Sequence, residues 1–80
     1  MTDAELFCAI GAALYGPLWM NALARAYGIN ERTVRRWAMG RMPIPRGVFE
    51  KLESALEARA ANLLGELRSR TRSGSTSAPG

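Results

Sequence analysis

Arginine is the residue type whose number and spacing indicate a chemical function in this 80-residue sequence. Between residues 25 and 46 there are six arginines against Glu31 alone, a net charge of +5. Acidic residues exceed basic ones by two in each flanking segment, 1–24 and 47–67. A guanidinium group can form paired hydrogen bonds with phosphate oxygens or with a guanine edge. A basic segment between two acidic ones therefore indicates a polyanionic partner.

The arginines of residues 31–39 fall on one side of a predicted helix. At about 100° per residue, Val34, Trp37 and Ala38 form an apolar stripe for burial. Arg32 and Arg36 lie near the centre of the opposite side. Like charges at this spacing repel and cost an isolated helix a few tenths of a kcal/mol. A phosphate-lined groove explains this outward charge better than solvation alone, which is the alternative reading.

The flanks of the same helix carry the remaining polar positions. Arg35 and Met39 lie along one flank, and Thr33 lies on the other. Glu31 and Arg35 are the one pair of opposite charges at i, i+4 spacing in this helix. We therefore expect Glu31 to offset part of the repulsion among the arginines.

Other chemistries lack the residues they need. The sequence contains no histidine and one cysteine, Cys8, so it offers neither an acid–base constellation nor a zinc ligand set. We interpret Cys8 as a small buried hydrophobe of the first helix. We accordingly expect no enzyme activity, no metal, no cofactor and no small-molecule ligand.

Apolar residues recur at helical spacing and predict an all-α fold. The sequence shows no charged leader and no apolar run long enough for a bilayer, so we expect a cytoplasmic protein without a membrane partner. The predicted domain covers residues 1–67, and a basic, then disordered tail covers 68–80. Arg68, Arg70 and Arg72 of this tail either neutralise phosphates or are favourable charges at a helix C-terminus.

Turn and capping residues delimit four predicted helices. Thr2 and Glu5 form a capping box, Gly16-Pro17 separates two helices, and Asn30 can cap a third after the Gly28 turn. The predicted helices run over Asp3–Tyr15, Leu18–Tyr27 and Glu31–Met39, and from Arg46 or Gly47 to about Ser69. Their predicted buried faces include Leu6, Phe7, Ile10, Ala13 and Leu14 in the first, and Trp19, Leu23, Ala26 and Tyr27 in the second.

The fourth helix is longer than a small helical core can cover. Leucines continue along it at positions Leu56, Leu63, Leu64 and Leu67. Either the last three bury against a partner chain, or the helix breaks near Asn62 or Gly65 and folds back. We favour a homodimer in which these four leucines form the contact.

The segment LARAYGINERTVRRWAMGRMPIP, Leu23 to Pro45, resembles the Cro/C1 (lambda-repressor-like, XRE) helix-turn-helix family. Apolar, small and turn residues stand where such a motif requires them, at Leu23, Ala24, Tyr27, Gly28, Ile29, Val34 and Trp37. The resemblance covers about residues 3–60 and implies four or five helices, here with a long C-terminal helix. Small repressors of phages and mobile elements, including anti-CRISPR-associated regulators, are similar too.

The resemblance also implies which residues contact double-stranded DNA. By position, the family's base-reading sites match Glu31, Arg32, Arg35 and Arg36, two of which the helical-wheel argument also selects. Glu31 either accepts a hydrogen bond from a cytosine or holds Arg35 in place, and we favour the second. Met20 occupies a position where many relatives carry a DNA-contacting polar residue. The candidate phosphate contacts are Asn21, Thr33, Arg41 and Arg46.

The sequence therefore predicts a sequence-specific, dimeric transcriptional repressor that binds an inverted repeat through the major groove. Two alternatives stay open. A helical protein-interaction module, such as an antitoxin-like or phage adaptor protein, would bind DNA weakly and bury its leucines in another protein. A non-specific DNA-binding protein would use the same arginines without reading bases.

Overall fold

The computed structural model describes the backbone of residues 1–77 and the side chains of residues 1–72. Four helices follow one another: α1 (Asp3–Tyr15), α2 (Trp19–Tyr27), α3 (Glu31–Ala38) and α4 (Arg46–Ser77). No strand occurs within residues 1–77, so the all-α prediction is confirmed.

The predicted cap of α1 is present. Thr2 Oγ1 accepts a hydrogen bond from the Glu5 amide at 3.1 Å, and Glu5 Oε1 accepts one from the Thr2 amide at 2.7 Å. The helix ends at Tyr15 with Gly16 as its C-cap, and α2 lies at 86° to α1. This sharp bend brings the apolar sides of the two helices toward the same interior, as a small core requires.

The core lies between α1, α2, α3 and the first two turns of α4. Phe7 is fully buried and contacts two tryptophan rings edge to face, Trp19 at a centroid distance of 5.3 Å and Trp37 at 5.9 Å. Edge-to-face pairs add to the stabilisation that burial of apolar area provides. The remaining core side chains are Leu23, Ala24, Val34, Val48 and Leu52.

Gly11 is buried where α1 meets Trp19. A Cβ atom at this position would lie 2.6 Å from Cδ2 and 2.8 Å from Cζ3 of the Trp19 ring. Glycine therefore permits the close approach of α1 and α2, which explains a residue that otherwise lowers helix propensity.

Three predicted core positions are wrong. Leu6 is 40% exposed, and Ala13 and Ala26 are exposed as well. The buried side of α1 is centred on Phe7 and Gly11, and Leu6 and Ala13 lie about 120° to 140° away from that centre around the helix. In α2, the helix turns Ala24 rather than Ala26 toward the core.

The α4 helix is unbroken from Arg46 to Ser77, which excludes the predicted alternative of a break near Asn62 or Gly65. It also extends beyond the predicted end at about Ser69. The backbone of residues 73–77, for which the sequence predicts disorder, is helical and belongs to α4, and residues 78–80 of the predicted disordered tail lie outside the described residues.

Candidate nucleic-acid interface

A tight turn joins α2 to α3. Gly28 adopts a left-handed conformation with φ of 64°, which an L side chain rarely adopts. The next amide, from Ile29, donates to the carbonyl of Ala24 at 2.8 Å, so the exposed end of α2 is closed. Asn30 Oδ1 then accepts a hydrogen bond from the Arg32 amide at 2.8 Å and caps α3.

The buried side of α3 fixes the direction of its exposed side. Val34 is fully buried and Trp37 is 5% exposed, and both belong to the core cluster that includes Leu23 and Ala24 of α2. Well-packed side chains of this kind resist rotation of the helix. The orientation of α3 relative to α2 is therefore set by packing.

The predicted base-reading residues lie on the exposed side of α3. Arg32, Arg35 and Arg36 are all exposed, and Arg35 Nη2 lies 3.6 Å from Glu31 Oε2. Within residues 1–72, the side chains of Arg32 and Arg36 form no ion pair. The predicted Glu31–Arg35 contact is thus present, and two guanidinium groups one turn apart face outward beside it.

The predicted phosphate-contacting residues lie in α2, in α3 and beside the connection to α4. Thr33 is half-buried on the flank of α3, and Asn21 is exposed in the first turn of α2. Arg41 and Arg46 are exposed before and after the connection to α4. Near Asn21, the N-cap residue Leu18 makes no side-chain capping bond, so amides at the start of α2 can donate to an external acceptor.

Met20 is half-buried and packs against the core cluster. At this position, where many members of the resembled family carry a polar residue that contacts DNA, the side chain here contributes to the core instead. Asn21 and the backbone amides at the start of α2 are therefore the polar groups that this end of α2 offers.

Met39 also lies exposed at the end of α3, although the sequence did not predict it as an interface residue. Its side chain is 59% exposed at the C-cap of α3, one turn after Arg35. Its sequence position could have indicated this, because an apolar residue on an otherwise charged flank of a helix is not explained by burial in the core. A thioether at this place can contact apolar groups such as the thymine methyl.

The connection between α3 and α4 packs against the start of α1. Gly40 has φ of 72°, and the Arg41 amide donates to the carbonyl of Arg36 at 2.9 Å, which closes α3. The connection and α1 enclose an open cleft of about 810 Å³ whose lining includes Asp3, Cys8 and Trp37. Cys8 is half-buried there, and its Sγ donates to the Ala38 carbonyl at 3.5 Å.

Tyr27 links α2 to α4. Lys51 Nζ lies 5.7 Å from the centroid of the Tyr27 ring, a distance at which a cation and an aromatic face attract. Burial raises the pKa of the Tyr27 phenol above its usual range, and the neighbouring Tyr15 adds to that shift. The contact between Tyr27 and Lys51 therefore connects the end of α2 to α4.

No family model, curated protein or solved structure matches this chain.

Within the described residues, no single helix is long and apolar enough to cross a membrane, although α1 and α2, which meet at the 86° bend, are long and apolar enough when taken together. No group of three or more His, Cys, Asp or Glu side chains could hold a metal ion in that part of the chain.

Proposed function

We propose that this protein is a sequence-specific DNA-binding regulator of the Cro/C1 (XRE) type, acting as a repressor and as a homodimer. The observation that carries the proposal is the two-sided character of α3. Val34 and Trp37 are buried on one side, while Arg32 and Arg36 lie exposed on the other without an ion-pair partner among the described side chains.

The chemistry of the exposed side suits the major groove. An α-helix fits that groove, and a guanidinium group can bind O6 and N7 of guanine at the same time. Each such contact supplies about 1 to 3 kcal/mol of discrimination against the wrong base. Arg32 and Arg36 read bases in this proposal, and Met39 contacts a thymine methyl group beside Arg35.

The surrounding groups position the helix on the DNA backbone. Arg41 and Arg46 bind phosphates on the α4 side of α3, and Asn21 with the first amides of α2 binds them on the other. Thr33 adds a hydroxyl contact to a phosphate in this proposal. Glu31 holds Arg35 through the observed ion pair, because a carboxylate facing phosphates would otherwise oppose binding.

The two alternatives make different predictions about salt and sequence. A non-specific DNA-binding protein would bind all duplexes with equal affinity and a steep salt dependence. A protein-interaction module would bind DNA weakly and with little salt dependence.

The test is selection of bound duplexes from a random oligonucleotide pool by the full chain. The proposal expects an enriched palindrome whose half-sites lie about one helical turn, near 34 Å, apart. An unenriched pool would contradict it, and the salt dependence of the residual binding would then separate the two alternatives.

A further inference from the structure

The α4 helix extends past the core, and its exposed part carries an uncovered apolar stripe. Leu52 is the last α4 residue in the core cluster, Leu56 is half-buried, and Leu63 and Leu67 are 57% and 60% exposed. Apolar residues recur from Leu56 at alternating spacings of four and three, through Ala60, Leu63 and Leu67. Such alternation is typical of the seam of a coiled coil.

We propose that this seam, formed by Leu56, Ala60, Leu63 and Leu67, packs against the same seam of a second copy of the chain with the two α4 helices antiparallel. The arrangement specifies the dimer invoked in the proposed function and rests on that proposal only for its role on DNA. Seam residues of an antiparallel pair meet when their numbers add up to a constant, and a sum of 123 aligns all four.

This register forms four wholly apolar layers. Leu56 lies against the partner's Leu67, and Ala60 lies against the partner's Leu63; the other two layers follow by symmetry. In the two inner layers each alanine faces a leucine, so a small side chain meets a large one there, and in the two outer layers leucine packs against leucine. Removing these leucines from water supplies the favourable free energy for association.

Charged residues beside the seam favour the antiparallel direction. Arg59 and Glu66 each directly precede a seam residue, so both lie on the same flank of the seam. Their numbers add up to 125, two more than the seam constant, which brings Arg59 beside the partner's Glu66, and symmetry repeats the pair. In a parallel pair, Arg59 would face the partner's Leu64, and Ala60 would face its own copy across the seam. The antiparallel direction thus combines two opposite-charge pairs with filled layers, and the self-complementarity of the seam indicates a second copy as the occupant.

Arg59 and Glu66 already make contacts within the chain that are compatible with this pairing. Arg59 Nη1 donates to the Leu14 carbonyl at 3.1 Å, which holds the guanidinium beside the end of α1. Glu66 Oε1 pairs with Arg70 Nη1. A guanidinium has five N–H donors and a carboxylate has two oxygens, so each group can bind a partner residue in addition.

The same register determines how far apart the cores of the two chains lie along the α4 axis. The core residues of α4, Val48 and Leu52, are centred on position 50, and the partner's position 50 lies level with position 73. A rise of 1.5 Å per residue over these positions gives about 35 Å along the helix axis. Successive major grooves on one side of DNA are about 34 Å apart. Measured between the α4 core positions of the two chains, the offset along the helix axis is therefore similar to the spacing of successive major grooves.

Cross-linking between cysteine variants tests the direction. In a Cys8→Ser background, Leu56→Cys and Leu67→Cys chains are oxidised separately and as a mixture. The hydroxyl of Cys8→Ser can replace the Cys8 Sγ donor. The proposal expects a disulfide-linked dimer that contains one chain of each type, and little cross-linking of either chain alone. Efficient cross-linking of each variant with itself would indicate a parallel pair and overturn the proposal, as would a chain that stays monomeric.

The matched control for this experiment replaces the seam position with an outward one. Ala58 is exposed and lies on the side of α4 away from the seam. An Ala58→Cys chain mixed with the Leu67→Cys chain should show only background cross-linking. Cross-linking equal to that of the Leu56→Cys mixture would mean random collision and would contradict a defined register.

A charge exchange tests the pairing itself in the full chain. Arg59→Glu and Glu66→Arg should each raise the dimer dissociation constant about threefold to tenfold, since each places like charges opposite one another twice. The double variant should recover most of the wild-type value in sedimentation equilibrium. A double variant whose dimer dissociation constant is raised by as much as the two single changes combined would overturn the proposed pairing.

The outcome on DNA separates this proposal from the proposed function. A monomeric chain that still selects one half-site would overturn the antiparallel dimer and leave sequence-specific binding intact. An antiparallel dimer without sequence preference would do the reverse.

Discussion

Arg35 Nη2 lies 3.6 Å from Glu31 Oε2, and this is the one ion pair on α3 within the described side chains. Both side chains are about half exposed or more, so the pair contributes little to stability. Its consequence is a difference among the arginines of α3. Arg35 is held by a carboxylate, whereas Arg32 and Arg36 face outward with their charge uncompensated by an acidic side chain.

Arg36→Ala should relax specificity at one base pair of the selected site. If the guanidinium binds one guanine bidentately, its loss removes about 1 to 3 kcal/mol of discrimination at that pair. Fluorescence anisotropy with duplexes that differ from the site at one pair each would measure this. An equal loss of binding affinity for every duplex would instead assign Arg36 to phosphate binding.

Arg41→Ala is the matched comparison, since it also removes one exposed guanidinium. We expect binding to weaken to a similar degree for all duplexes, and the slope of log affinity against log salt to become shallower by about one. The measurement is a salt titration of the site and of a scrambled duplex. An unchanged slope with altered base preference would contradict a phosphate contact.

Glu31→Gln tests whether the acidic residue reads a base or holds Arg35. Removing a negative charge beside DNA should strengthen binding to every duplex, and Arg35 becomes free to bind a phosphate. Base preferences should stay as in the wild type when measured on the same single-pair duplex set. Loss of preference for a cytosine at one position would show that Glu31 accepts a hydrogen bond from that base.

Gly11→Ala should destabilise the fold by about 1 to 3 kcal/mol, because the added Cβ overlaps the Trp19 ring. Gly65→Ala is the control, since nothing lies within 4 Å of a Cβ built there. The control should gain up to about 1 kcal/mol through helix propensity. Urea unfolding at one protein concentration measures both. A Gly11→Ala chain as stable as the wild type would contradict the tight α1–α2 contact.

The raised pKa of Tyr27 predicts a loss of stability in alkali. The folded chain retains the phenol proton at pH values where the unfolded chain has lost it. The stabilising contribution is therefore complete below the usual tyrosine pKa of about 10 and is lost as pH rises through the higher folded-state value. Between pH 9 and 11, stability should fall more steeply for the wild type than for Tyr27→Phe. Parallel curves would contradict a buried phenol.

Local signals predicted the helices better than the packing. The capping box and the Gly16-Pro17 break locate α1 from Asp3 to Tyr15, and Gly28 with Asn30 locates the start of α3 at Glu31. These features depend on residues adjacent in sequence, which is why the sequence alone suffices for them. The predicted burial of Leu6 was wrong because burial depends on where the neighbouring helices lie.

The end of α4 and the role of Gly11 required the structure for the same reason. Asn62 and Gly65 weaken a helix locally, but neither interrupts α4, so their effect could not be decided from propensity. The approach of Gly11 to Trp19 joins two helices across an 86° bend. The roles of Arg32 and Arg36 on DNA stay predictions, since they concern a partner molecule.

The most direct test of the central claim is the affinity of the wild-type chain for its selected duplex and for a scrambled duplex at one physiological salt concentration. Specific recognition through α3 predicts that the selected duplex binds about 1,000-fold more tightly or better. Arg32→Ala and Arg36→Ala should each reduce that ratio. Equal affinity for the two duplexes would contradict sequence-specific recognition by this helix.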